Sequence, residues 1–342
     1  MACALSIFVV ETEIQYLAFV SIHNSLNRTK NCIVFTTEEK IFSRLKCDGV
    51  CCQLVSWGAR GWLGRLLKIR RNLKVYENKI SSFNGNFSEI KFHIPRLDNI
   101  QHNIAINYLK YHFSNIPVSV HLIPDGALNI FSRQLTLSKL KKQDRWARNI
   151  GFRLFPDMEY IRYQGDELGA NAEIVESIYC FEGVETNYPL YKVKNITLPL
   201  KVDSTSGISK KALVIGQNFL ELGTASKDFT NLVSAKVYSL IENLGIKKVD
   251  YAPHPRSSHD EFYHESYSLL DAEYLCVEEH IARAGYEYVI SCYSSVLINS
   301  KIMFGDKIHA VSVGLYEFPF PDDDQGMKLA GSYEKLGIEV IR

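Results

Sequence analysis

The feature that most constrains this chain is a repeated alternation of short, uniformly apolar runs with segments of helical period. Residues 5–10 show no polar alternation, as expected of a strand buried on both faces in a helix-covered parallel sheet. Behind it, Ile14, Leu17, Ala18 and Ile22 recur at helical spacing from a start at Glu11 or Thr12. Residues 32–35 read as a second strand, Thr36-Thr37-Glu38-Glu39 as a helix start, and residues 51–55 as a short third strand. Trp62, Leu63, Leu66, Leu67, Ile69 and Leu73 predict a helix that also carries Arg60, Arg65, Lys68, Arg70, Arg71 and Lys74. A strand at 90–94, a helix around 102–111 and a strand at 118–123 continue the pattern, the last ending in Pro124-Asp125-Gly126. This βαβα order predicts a doubly wound parallel α/β domain.

Residues 127–200 are less regular and hold a basic stretch, 133–153, with Arg133, Lys139, Lys141, Lys142, Arg145, Arg148 and Arg153. The segment Leu198-Pro199-Leu200-Lys201-Val202-Asp203-Ser204-Thr205-Ser206-Gly207 has turn-forming composition and marks a domain boundary. The alternation then restarts. A strand at 212–216 runs into Gly216-Gln217-Asn218, a helix at 229–244 ends on Gly245, and strands follow at 249–252, 288–291 and 308–313. The expected division is an N-terminal domain over 1–200, a second over 208–325, and a tail over 326–342 that packs back on the first domain.

Length and composition agree with two globular domains: 342 residues, 46% hydrophobic and 23% charged, with a formal net charge of +1. A charge so near zero gives no support to a nucleic-acid partner. The eight cysteines (3, 32, 47, 51, 52, 180, 276 and 292) show no CxxC or other metal-type spacing and several lie in apolar runs, which predicts free thiols in a reducing compartment. The N-terminal apolar run has no basic segment before it and is cut by Glu11 and Glu13, so it predicts a buried strand rather than a signal sequence or membrane span. A cytoplasmic protein is the expectation.

Chemistry-bearing residues fall where predicted strands end. His254 stands between Pro253 and Pro255 after the strand at 249–252; each proline fixes its own φ and extends the residue before it, so the imidazole sits on a stiffened turn. Arg256 adds a planar cation suited to phosphate or pairs with Asp260, and Ser257 and Ser258 are candidate caps for a following helix. Asp125 lies in Pro-Asp-Gly, which is also good turn chemistry. Ser294 and Ser295 precede an apolar helix, an N-cap reading that is equally an anion site. Gly216 and Gln217 follow a strand and offer backbone contact to a nucleotide.

An Asp-Gly after a first-domain strand, then His254-Pro255, then Ser294-Ser295, in that order and at strand ends, resembles the bacterial sialyltransferases of GT-B type, specifically the lipooligosaccharide sialyltransferases and capsule polysialyltransferases. One departure is Pro124, standing where that family's first motif has its first acid. The resemblance implies a GT-B fold, two Rossmann-like doubly wound domains facing a central cleft. It implies an inverting, metal-independent transfer of sialic acid from CMP-sialic acid to a hydroxyl of lipopolysaccharide, O-antigen, lipooligosaccharide or capsule. In that scheme Asp125 is the base, His254 the proton donor to the leaving phosphate, and Ser294 and Ser295 hold phosphate oxygens. Pro255, Arg256, Gly216 and Gln217 line the nucleotide, and Glu278, with Glu279 beside it, reaches the ribose. No cofactor is required. The basic stretches 60–74 and 133–153 are candidate contacts for an acidic glycolipid acceptor or, peripherally, for the inner face of the inner membrane. Three other readings stay open: a transferase for CMP-Kdo or a legionaminic or pseudaminic donor, a UDP-sugar transferase or epimerase of the same architecture, and a non-catalytic nucleotide- or glycan-binding module.

Overall fold

The computed structural model describes residues 3–26, 31–56, 62–83, 87–126, 134–148, 155–184, 186, 188–200, 209–254, 257–270, 276–320 and 323–342. The chain forms two compact units, Met1–Phe181 with Thr186–Thr197, and Leu198–Arg342 with Glu182–Glu185.

The first unit is built on strands β1 (Cys3–Val10), β2 (Cys32–Thr36), β3 (Cys52–Leu54), β4 (Phe87–Ile94), β5 (Val118–Leu122), β6 (Val175–Phe181) and β7 (Val193–Ile196). Its helices are α1 (Glu13–Ser25), α2 (Glu39–Cys47), α3 (Trp62–Ser81), α4 (Ile100–His112) and α5 (Leu137–Ala147). The sheet is parallel in the order β3-β2-β1-β4-β5-β6-β7, so strand order reverses between β1 and β4. That is the doubly wound arrangement. Leu5, Ile7 and Val9 of β1 and Phe92 and Ile94 of β4 form one buried layer with Leu66, Ile69, Leu73 and Tyr76 of α3 and Ile104 and Tyr108 of α4. β1, apolar but for the buried Ser6, is central, as its sequence requires.

The second unit repeats the plan with β8 (Ser209–Ile215), β9 (Lys248–Ala252), β10 (Ser268–Leu269), β11 (Tyr286–Ser291), β12 (His309–Val313) and β13 (Glu339–Ile341). Its parallel order is β10-β9-β8-β11-β12-β13, with the reversal between β8 and β11. Val214, Tyr251, Ile290 and Val313 pack on Phe229, Val233, Val237 and Ile241 of the helix Lys227–Asn243. That helix starts on the side-chain cap of Ser226 and is followed by Gly245 at a φ of 63°.

Three departures from the sequence reading matter. β6 and β7 emerge from the stretch read as irregular: β7 is the sheet edge, and its Lys194 and Asn195 are exposed and break the apolar run. The tail belongs to the second unit, contrary to expectation. The helix Asp323–Lys335 buries Tyr333, and β13 pairs with β12 through Val311↔Glu339 and Val313↔Ile341. Third, Ser257 and Ser258 cap no helix. Ser257 closes a turn by donating to the His254 carbonyl at 3.0 Å, and Ser258 donates from its N–H and hydroxyl to Glu221, 3.1 Å each.

Candidate active site

In open parallel sheets ligands bind at the carboxyl ends of the strands, beside the reversal of strand order. In the first unit the loops after β1, β4 and β5 leave that edge on neighbouring strands and carry Glu11, Arg96 and Asp125. Asp125 lies in the loop after β5 and is followed by Gly126 at a φ of 64°, a left-handed conformation that suits glycine. Its side chain is 18% exposed. Oδ1 accepts a hydrogen bond from Gln15 Nε2 at 2.9 Å, and Gln15 Oε1 accepts from the Glu11 N–H at 2.7 Å. Oδ2 lies 3.8 Å from Arg96 Nη1.

Arg96 is shared. It pairs with Asp98 (Nη2 to Oδ2, 2.7 Å) and faces Glu167 at 3.9 Å, while Lys139 reaches Glu167 at 2.7 Å. His102 completes the surround, with Nδ1 3.3 Å from the Arg96 carbonyl oxygen and Nε2 3.4 Å from Glu11. Burial pushes the Asp125 carboxyl above the usual carboxylate range; Arg96, the Gln15 hydrogen bond and His102 pull it down, and Glu11 adds to the rise. The outcome is a raised, pinned carboxylate, the state suited to taking a proton from a hydroxyl. Gln15 and Arg96 were not singled out in the sequence, although each left a signal there. Gln15 lies on the 15/18/19/22 stripe of α1, whose other members are apolar, and Arg96 follows Ile94-Pro95 as Asp125 follows Ile123-Pro124.

In the second unit the turns that follow β9, β8 and β11, three adjacent strands, carry His254, Gly216-Gln217 and Ser294-Ser295. The Gly216 N–H donates to the Ala252 carbonyl at 2.8 Å, and a Cβ at 216 would overlap the Tyr251 hydroxyl, so only glycine fits. Buried Gln217 donates to Ser291 Oγ at 2.9 Å, and Ser291 donates to the Ile215 carbonyl at 3.1 Å, tying the ends of β8 and β11 across the reversal. Half-buried His254 leaves β9 after Pro253; Pro255 and Arg256 lie outside the described residues. Ser294 caps the helix Ser295–Phe304, its Oγ accepting from the Val296 N–H at 3.2 Å, and Tyr333 donates to its carbonyl at 3.2 Å. Ser295 is the first helical residue, half-buried.

Glu278 comes from a different element of the second unit. It lies in the first turn of the helix Val277–Ala284, 5% exposed, and accepts from Asn299 Nδ2 at 2.7 Å, one helical turn beyond Ser295. Glu279 instead pairs with Arg283 at 2.7 Å. Sequence reasoning also passed over Glu261, whose buried carboxylate accepts from the Phe219 and Leu220 N–H groups (3.1 and 2.9 Å) and so fixes the segment after Gln217.

Among the described residues, Glu89, His121 and Glu176 bring potential metal-ligand atoms within 4.8 Å of one another. They come from three strands, so no local spacing announced them. Both His121 nitrogens are engaged, by Ser119 at 3.0 Å and Ser177 at 2.7 Å. The seven cysteines whose side chains are described are free. No helix among the described residues is long and apolar enough to cross a membrane.

The first unit also holds a pocket of about 610 Å³ between α3, α5 and the loop after β4. Arg65, Arg96, Lys139, Lys142, Trp146 and Tyr160 line it, with Asp98 as its acid. Arg96 and Lys139 are engaged by acids, whereas Arg65 and Lys142 have no ion pair among the described residues.

Two doubly wound parallel units with polar turns at their strand ends define the GT-B fold class. The structure is similar to that of the alpha/beta-galactoside alpha-2,3-sialyltransferase from Photobacterium phosphoreum, with a TM-score of 0.59, 11% identity and 99% of each chain covered. It is also similar to a putative UDP-N-acetylglucosamine 2-epimerase from Listeria monocytogenes (TM-score 0.52, 10% identity, 98% of this chain and 88% of that one) and to S. aureus MnaA with UDP (0.50, 11%, 98% and 89%). At such identities the likeness is one of fold. No curated protein matches the sequence. The model of the alpha-2,8-polysialyltransferase (POLYST) family matches residues 108–312; the chain belongs to that family and is a glycosyltransferase.

Proposed function

We propose that the protein is an inverting sialyltransferase that moves sialic acid from CMP-sialic acid to a hydroxyl of an acidic bacterial surface glycan. The observation that carries the reading is the gathering of Gln217, His254, Ser294 and Ser295 on three adjacent strand ends around the reversal in the second unit, within the span matched by the family. In the reaction the acceptor oxygen bonds to the anomeric carbon as the bond from that carbon to the CMP phosphate oxygen breaks. Asp125 takes the hydroxyl proton. His254 donates a proton to the departing phosphate, and Ser294, Ser295 and the amide end of their helix hold its oxygens. Gly216, Gln217, Pro255 and Arg256 line the nucleotide, and Glu278 takes the ribose. A monophosphate leaving group served by a protonated imidazole needs no bridging metal, so transfer should survive a chelator.

The acceptor reading is supported by the pocket of the first unit. Two cations without ion pairs beside Trp146 and Tyr160 suit a carboxylated sugar, with rings packing on the aromatic faces and the carboxylate on the charges. The outward cations of α3 and α5 support peripheral contact with anionic lipid at the inner membrane face.

The test is transfer from CMP-sialic acid to sialylated oligosaccharides. Asp125→Asn should lose about 10²-fold or more in kcat with CMP binding retained, and His254→Ala a comparable amount with CMP binding weakened. A carboxyl raised by burial costs the folded state stability once pH exceeds the ordinary carboxylate range, so Asp125→Asn should melt no earlier than wild type at neutral pH. Normal transfer by Asp125→Asn would remove the base assignment.

A further inference from the structure

We infer that Gln15 is a positioning residue for Asp125: its amide fixes the rotation of the carboxylate and so which oxygen meets the acceptor hydroxyl. The inference rests on Asp125 being the base. Gln15 is 2% exposed and sits on the buried stripe of α1 beside Ala18, Phe19 and Ile22. A buried amide costs free energy unless both its ends are hydrogen-bonded. Here both are, and both partners lie outside the helix. The Glu11 N–H holds Oε1 at 2.7 Å, and Asp125 Oδ1 takes the Nε2–H at 2.9 Å.

The amide therefore links the loop after β1 to the loop after β5. The terminal torsion of aspartate is broad and roughly two-fold, so packing alone sets it poorly. A hydrogen bond from a fixed donor sets it well. Arg96 cannot do this alone: it is 3.8 Å from Oδ2 and bound to Asp98.

Among the described residues, the charged and titratable groups facing Asp125 include Glu11 after β1, Arg96 after β4 with its partners Asp98 and Glu167, His102 on α4, and Tyr188 before β7. Against that field, Gln15 donates to the ionised carboxylate and favours it. Without the donor, burial is less opposed and the carboxyl holds its proton to higher pH.

The experiment is the pH profile of kcat/KM and the separate kcat and KM of Gln15→Met and Gln15→Glu, with CMP-sialic acid as donor. We expect kcat to fall about 10- to 100-fold with the donor KM unchanged. The acid limb should move up by about one pH unit in Gln15→Met, and further in Gln15→Glu, which sets a second carboxylate against the first. Gln15→Glu keeps the side-chain shape, so the test survives a failure of the Met variant to fold. Folded variants with the wild-type limb and kcat would overturn the inference. Asp125→Asn, run in parallel, separates the two ideas. If it still transfers, the base reading fails; if it is dead while the Gln15 limbs stay put, only the positioning role fails.

Discussion

Three strand ends in this chain are built alike: Ile94-Pro95-Arg96 after β4, Ile123-Pro124-Asp125 after β5 and Ala252-Pro253-His254 after β9. In each, a proline stops the strand, stiffens the exit and hands the next position to a charged or titratable side chain. Gly216 belongs to the same local logic, since its backbone lies against the end of β9 two residues before His254. Gly216→Ala must push Cβ into the Tyr251 hydroxyl, which itself donates to the Glu261 carbonyl at 2.8 Å. We expect a loss of ~1–3 kcal/mol and weaker CMP binding, measured by denaturant unfolding and calorimetry. An unchanged midpoint together with unchanged CMP affinity would contradict the packing described. The strand-end placement of Asp125 and His254 was legible because its signals, proline and the end of an apolar run, are adjacent in sequence. Gln15 was not, because its partner stands 110 positions away and only the polar interruption of an apolar stripe marks it.

At the scale of elements, α5 carries two faces. Lys139, Lys142, Gln143 and Trp146 line the pocket at spacings of three and four, while Lys141, Arg145 and Arg148 face away and are exposed. α3 divides in the same way, with Arg65 and Ile69 on the pocket and Arg71 and Lys74 exposed. Charge reversal should therefore separate the two proposed partners. Lys142→Glu should raise the KM for a sialylated acceptor about tenfold and spare vesicle binding. Lys141→Glu with Arg145→Glu should abolish salt-sensitive co-sedimentation with phosphatidylglycerol vesicles and spare the KM. If both substitutions move the same readout, the division into two faces is wrong. The basic composition was plain in the sequence, but the division was not, because it depends on where α5 packs. Edge strands were hard to see for a related reason: β7 is half polar and β13 only three residues long, and only a neighbouring strand makes them strands.

At the scale of the molecule, each unit starts with a central strand, adds two strands to one side and continues on the other. The uniformly apolar runs foretold that plan, since only a helix-covered parallel sheet buries such strands on both faces. The same plan sets the Gly216, His254 and Ser294 turns on one edge of the second sheet, and this edge is the proposed nucleotide site. Binding to the native state raises the melting temperature by mass action. The most direct test is therefore melting of the intact protein with CMP, CDP, UMP and UDP side by side. CMP should stabilise most, and His254→Ala and Ser294→Ala should each reduce the shift. Preferential stabilisation by UDP, or none by any cytidine nucleotide, would contradict this reading.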